Sequence, residues 1–218
     1  MTAPEPPGGP ARATAMGRVL AGALVLAVLA YSYGAQRAAG RDRLVDFLGY
    51  FTNLTSLLAA VLLVAAGAVA LCGRPAPPWL PSARGVATAC LLVVAVVYDL
   101  AVTGAGGTAA PWVSAVLHVV LPVVALLDWV LGADRAALPW RRLWLVLPYP
   151  LVWLVVVLVR GATDGWVPYG FLLPEHGARS LALHVAGLLV VLLAAGALVW
   201  AAGRVPVPGR ARVPAHHP

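Results

Sequence analysis

Six apolar blocks of near-uniform length dominate the chain, at residues 17–34, 47–72, 85–104, 111–132, 143–159 and 180–201. Each is close to the roughly 20 residues that cross the hydrocarbon of a bilayer as a helix. Strands are excluded as spanning elements, because isolated strands would leave backbone N–H and C=O groups unpaired in lipid. With 61% apolar and 11% charged residues, the chain lies well beyond the near-half apolar, quarter charged make-up of soluble domains. The blocks leave no length for a separate soluble domain. The expectation is an all-α polytopic integral membrane protein: a six-helix transmembrane domain over residues 16–204, between disordered tails at 1–15 and 205–218. Both tails are rich in Pro, Gly and Ala without apolar periodicity.

All fifteen basic residues are arginine, a usage that matches high-GC bacteria. Arginines near span ends favour the cytoplasm. With a cytoplasmic N-terminus, that side collects Arg12, Arg18, Arg74, Arg84, Arg135, Arg141, Arg142, Arg204, Arg210 and Arg212, against Arg37, Arg41, Arg43, Arg160 and Arg179 outside. The expected location is therefore a bacterial plasma membrane, crossed six times, with both termini cytoplasmic. A cleaved signal over the first block, ending near Ala30-Tyr31-Ser32, is an alternative that leaves five spans in the same orientation. The net charge of +7 forms no continuous stripe, so nucleic acid is not an expected partner. Membrane lipids are. Cys72 and Cys90 are the only cysteines and read as unpaired thiols near block ends.

Polar groups inside spans are costly and mark candidate function. At a rise of about 1.5 Å per residue, Thr52 lies about 8 Å inside its span, Asp99 about as deep and His118 about 10 Å deep. A hydroxyl, a carboxylate and an imidazole in one layer could act as nucleophile, orienting group and base in acyl transfer. Tyr98 is an alternative to Asp99, as a donor to an oxyanion; the two point about 100° apart on a helix. The same residues could instead tie helices together: a Thr bonding its own backbone, and a His or Asp cross-linking neighbours. Proton or ion transport would use the same layer.

Around this layer, Asn53 and Ser56 read as bonding across helices, and the sequon formed by Asn53-Leu54-Thr55 as coincidence at membrane depth. The segment from Arg160 to Phe171 combines an arginine with Trp166 and Tyr169. It reads as an interfacial aromatic belt and also as a substrate-binding cap, with Arg160 on a lipid carboxylate or phosphate. His184 opens the sixth block at the same level and is a candidate second base or substrate contact. Asp128 is expected to pair with Arg135 or Arg141. His216 and His217 read as solvated tail residues, and no metal or organic cofactor is expected.

Phe51-Thr52-Asn53-Leu54-Thr55-Ser56-Leu57-Leu58, Leu117-His118-Val119-Val120-Leu121-Pro122 leading to Asp128-Trp129, Pro148-Tyr149-Pro150 and the Arg160 to Phe171 segment together resemble the Pr6Pr family of bacterial six-span membrane proteins. That likeness runs from the first block to the sixth and carries no activity. The chain departs from the family pattern in having Asp99 where a His follows the tyrosine, and Gly170 where a second Pro stands. A more distant likeness is to the eukaryotic androgen-induced protein family, membrane threonine hydrolases of fatty acid esters. It implies a nucleophilic role for Thr52 and a base role for His118, and it marks nothing at Asp99. The expectation is thus a Thr/His-dependent hydrolase of lipid esters, against the alternative of a non-enzymatic transporter or structural membrane protein.

Overall fold

The computed structural model describes residues 9–97, 110–132, 134 and 137–205. Among these there is no strand, and six helices are long and apolar enough to cross a membrane. The elements are α1 (Gly9–Ala38), a short α2 (Leu44–Gly49), α3 (Phe51–Leu71), α4 (Leu80–Val97), α5 (Pro111–Ala115), a π-helical turn (Val116–Val120), α6 (Leu121–Leu131), a 3-10 segment (Trp140–Val146), α7 (Pro148–Thr163) and α8 (Gly177–Ala202). The fold is a six-helix bundle of membrane-spanning character.

Several boundaries differ from expectation, two of them through proline at a helix start. Residues 9–15, expected in a disordered tail, belong to α1, because a proline in the first turn needs no N–H there and already has helical φ. Pro81 plays the same part in α4, which starts at Leu80 rather than residue 85. Cys90 therefore sits in mid-helix, fully buried, while Cys72 is exposed at the end of α3. The expected single block at 47–72 is two helices. Tyr50, with φ −67° and ψ 126°, breaks it just before Phe51.

The bundle is built on α1 against α3 and on α4, which packs against α3, α6 and α8. Little hydrophobic force draws helices together in lipid, so close approach depends on small residues. Gly22 provides one: a Cβ there would fall 2.6 Å from the Ala60 carbonyl oxygen. Gly67 does the same against Ala15. α7 keeps most of its surface exposed and reaches the bundle through long side chains. Trp153 Nε1 donates to the Gly49 carbonyl at 2.8 Å, and the Thr55 and Tyr149 hydroxyls share a hydrogen bond of 2.9 Å.

The end of the bundle where α1 begins is closed by ions. Arg18 Nε donates to Asp128 at 2.6 Å, and its Nη1 and Nη2 form a fork on Asp134 at 2.7 and 2.6 Å. Arg84 bridges the same two carboxylates at 2.5 and 2.9 Å. Both arginines are about 5% exposed. Asp128 thus pairs with Arg18 and Arg84 instead of Arg141; Arg135, the other expected partner, lies outside the described residues. Two arginines read as flanking charges are in fact internal, because each guanidinium neutralises a carboxylate from another element.

Removing one member of a buried pair leaves its partner charged and uncompensated, which costs about 3–5 kcal/mol. Arg84→Ala should lower the thermal unfolding midpoint in detergent by well over 5 °C, about 2–4 °C being lost per kcal/mol at this chain length. The exposed Arg142→Ala should leave the midpoint unchanged.

Candidate functional site

At the opposite end, the break at Tyr50 shapes the site. It frees carbonyls of α2 and the first N–H groups of α3, which need partners in a bilayer. The Asn53 amide donates to the Phe47 carbonyl at 2.8 Å, and Trp153 takes the Gly49 carbonyl. Asn53, expected to bond across spans or to touch substrate, therefore spans the break within its own block. The break places Thr52 as the second residue of a new 21-residue helix, at the positive end of its dipole.

Thr52 Oγ1 lies 3.2 Å from His118 Nε2. The other ring nitrogen, Nδ1, is 2.9 Å from the Ser114 carbonyl and 3.3 Å from the Ser114 hydroxyl. A carbonyl only accepts, so Nδ1 carries a proton; in the neutral ring Nε2 is then the acceptor, and the Thr52 hydroxyl donates to it. That is the tautomer a general base needs. Both side chains are half-buried. The pairing spans 66 residues of chain, and the interior face of α3 continues inward from Thr52 to the buried Thr55 and Ser56.

The orienting role expected of Asp99 is filled at Nδ1 by the Ser114 backbone, one helical turn before His118. Asp99 and Tyr98 lie outside the described residues. The readable signal was a serine four residues before a histidine, and it recurs: His184 Nδ1 lies 2.8 Å from the Ser180 carbonyl. His184 itself is exposed and stacks on Phe171 with centroids 5.7 Å apart. It lies at the end of a series of rings, Trp153, Tyr169, Phe171 and His184, each within 6 Å of the next.

Tyr169 is brought to Thr52. Its hydroxyl lies close enough to the Thr52 side chain and to the backbone of Phe51 and Thr52 for each to offset part of the effect of burial on its pKa. Burial pushes the phenol up from its ordinary pKa, so it stays protonated at neutral pH and remains a donor. Trp166 lies against α2. It packs so closely on Gly49 that a Cβ there would overlap the indole, and its ring lies under the Arg160 guanidinium at 4.2 Å.

Arg160 Nη2 reaches both Asp46 and Asp164 at 2.7 Å. The guanidinium thus clasps α2 to the end of α7 and has two carboxylates on it already. Arg43 lies 3.6 and 3.7 Å from the same two acids, which makes the cluster neutral in formal charge. Aromatic residues thus sit at this end of the bundle, with the Arg160 guanidinium over the Trp166 ring. Among the described residues no group of His, Cys, Asp and Glu is arranged to hold a metal.

No family model, curated protein or solved structure matches the chain.

The Arg160 hydrogen bond, with help from the Trp166 N–H, holds the Asp164 carboxyl below the usual carboxylate range. A carboxyl with a depressed folded pKa stabilises above its unfolded value, about 4, and loses that contribution as pH falls through the folded value. Hydrogen exchange in residues 164–172 should accordingly quicken below about pH 4. Asp164→Asn should exchange fast already at pH 7 and show a weaker acid dependence.

Proposed function

We propose that this protein is an intramembrane threonine hydrolase acting on lipid esters. The observation that carries the reading is the 3.2 Å contact between Thr52 Oγ1 and His118 Nε2, with Nδ1 engaged by the Ser114 carbonyl. A threonine hydroxyl is a weak nucleophile until an adjacent base takes its proton. In the proposed first step, Thr52 Oγ attacks the ester carbonyl carbon while its proton passes to His118 Nε2. His118 then returns that proton to the departing alcohol oxygen, leaving the acyl group on Thr52. Water reverses the sequence: it attacks the acyl carbon, its proton goes to His118, and Thr52 leaves with that proton as the acid is released.

The developing oxyanion needs fixed donors aimed at it. Tyr169 O–H supplies one in this reading, since it lies beside the Thr52 side chain. Apolar surroundings favour an ester with hydrocarbon arms over a soluble one. Tyr169 and Phe171, parallel within 7° and 5.4 Å apart, with His184 beyond them, would form a flat wall for substrate. Arg160 and Trp166 would shape the cap and touch headgroups at its rim. This reading also carries the resemblance to the Pr6Pr and androgen-induced protein families. In this reading the reacting layer faces the non-cytoplasmic side of a bacterial plasma membrane, which the arginine asymmetry supports. Arg18 and Arg84, neutralised by carboxylates, weigh less in that count than exposed Arg12, Arg141 and Arg142.

A fluorophosphonate probe should label the purified protein on Thr52. Thr52→Ala and His118→Ala should each cut labelling by at least about 100-fold, the scale of losing a positioned acid–base group, with the unfolding midpoint within a few degrees of wild type. Labelling that persists in both folded variants would refute the proposal. Tyr169→Phe keeps the ring and loses one oxyanion donor, so labelling should slow by about 10²-fold, the lower end for such a donor.

A further inference from the structure

Ser56 lies one helical turn deeper than Thr52 on the interior face of α3. It is fully buried, and its hydroxyl has no hydrogen-bond partner among the described residues. A serine within a helix ordinarily bonds the carbonyl one turn back; this one does not. An unpaired buried hydroxyl is costly, so it marks a place where a partner belongs.

The neighbouring helix has a matching deficit. In the π-helical turn, Leu121 N–H donates to the Val116 carbonyl, five residues back. The Leu117 carbonyl therefore loses its α-helical donor, and the donor it would have in π register is Pro122, which has no N–H. α3 and the α5–α6 helix both run inward from the same end, and Thr52 stands opposite His118. Four residues further along each lie Ser56 and Pro122. The orphan donor on α3 and the orphan acceptor on the facing helix thus both lie within about one helical turn inward of Thr52 and His118.

We infer that Ser56 and the Leu117 carbonyl hold a water molecule beneath Thr52 and His118, and that this water hydrolyses the acyl-threonine. The inference rests on the hydrolase reading for its chemical role but not for the water itself. Four residues of helix separate Thr52 from Ser56 by about 6 Å along the axis. A water at a hydrogen-bond length of about 2.8 Å from Ser56 closes about half that gap and comes within a near-attack distance of about 3–3.5 Å of an acyl carbon on Thr52. Its oxygen attacks that carbon, one proton passes to His118 Nε2, the bond from carbon to Thr52 Oγ breaks, and Oγ takes the proton from His118. Ser56 is a positioning residue: it touches the water and not the ester. Water supplied from within the bundle allows the acyl chain to occupy the open side of the site during deacylation.

The test compares wild type with Ser56→Ala in detergent, by p-nitrophenyl butyrate turnover, fluorophosphonate labelling and thermal unfolding. We expect labelling within twofold of wild type, because acylation does not use this water. Steady-state turnover should fall about tenfold, the low side of the usual loss for a positioning defect, after a burst of one p-nitrophenol per protein. The unfolding midpoint should fall by about 2–4 °C, since alanine leaves the water and the carbonyl with one bond fewer. A rise in the midpoint would overturn the proposal, because replacing a truly unpartnered hydroxyl by a methyl relieves a desolvation cost. Equal losses of labelling and turnover would also overturn it. If wild type neither labels nor turns over while the midpoint still falls in Ser56→Ala, the hydrolase reading and the water's catalytic role fail and the bound water stands.

Discussion

A chain in a bilayer has to satisfy each backbone group it frees from a helix, and the far end of this bundle is organised around two such interruptions. At Tyr50 the second span stops and restarts, and Asn53 and Trp153 take the carbonyls released there. At Val116–Val120 the fourth span widens into a π turn just ahead of Pro122. The first interruption puts Thr52 at a helix start, with N–H groups around it. The second sets the rotation of the helix about its axis where His118 is carried. Their hydroxyl and imidazole meet because both departures from regular helix fall at one depth. A straight pair of α-helices would present the same residues at different angles.

Electrostatics closes the bundle at both ends and leaves the middle to packing. Arg18 and Arg84 hold Asp128 and Asp134 at one end; at the other Arg160 holds Asp46 and Asp164. Asp134 lies outside the spans, partly buried. Burial alone would raise its pKa, yet the hydrogen bond from Arg18 and the charges of Arg84 and Arg18 bring it below the usual carboxylate range. Between these clusters, glycine and alanine bring α1 onto α3, while α4, buried over most of its length, serves as the common partner of α3, α6 and α8. α7 is the exception. It is held by aromatic side chains rather than by backbone approach, so the Tyr149, Trp153 and Phe51 cluster ties it to the start of α3 and thereby to the site.

The proposed chemistry draws on this arrangement more than on any single residue. Thr52 becomes a nucleophile in the proposal only because His118 accepts from it, and His118 accepts only because the Ser114 carbonyl fixes the proton on the other nitrogen. Tyr169 reaches Thr52 because Arg160 and Trp166 pin the connection from α7 across α2. The groups expected to bind substrate thus divide in two. Tyr169 stands beside the Thr52 side chain, while Arg160, Trp166 and Asn53 hold the framework that brings it there.

The number of spans, their helical nature and the shared level of Thr52 and His118 were legible in the sequence, because hydrocarbon thickness sets block length and 1.5 Å per residue turns position into relative height. Asp128 was legible as structural but not in its partners: Arg18 and Arg84 are 110 and 44 residues away, and charge alone names no pairing. Proline and glycine positions hinted at interruptions without locating the break at Tyr50, since Gly49 and Tyr50 look no different from residues in an unbroken apolar run. The sequence by itself determined a bundle of apolar helices with a polar layer near one end, because bilayer thickness and backbone satisfaction leave no other design. Only the tertiary structure decided that Thr52 faces His118, that a serine carbonyl orients the ring and that Arg160 serves as a clasp. Those outcomes depend on rotation about helix axes and on lateral packing, neither of which depth along the membrane normal records.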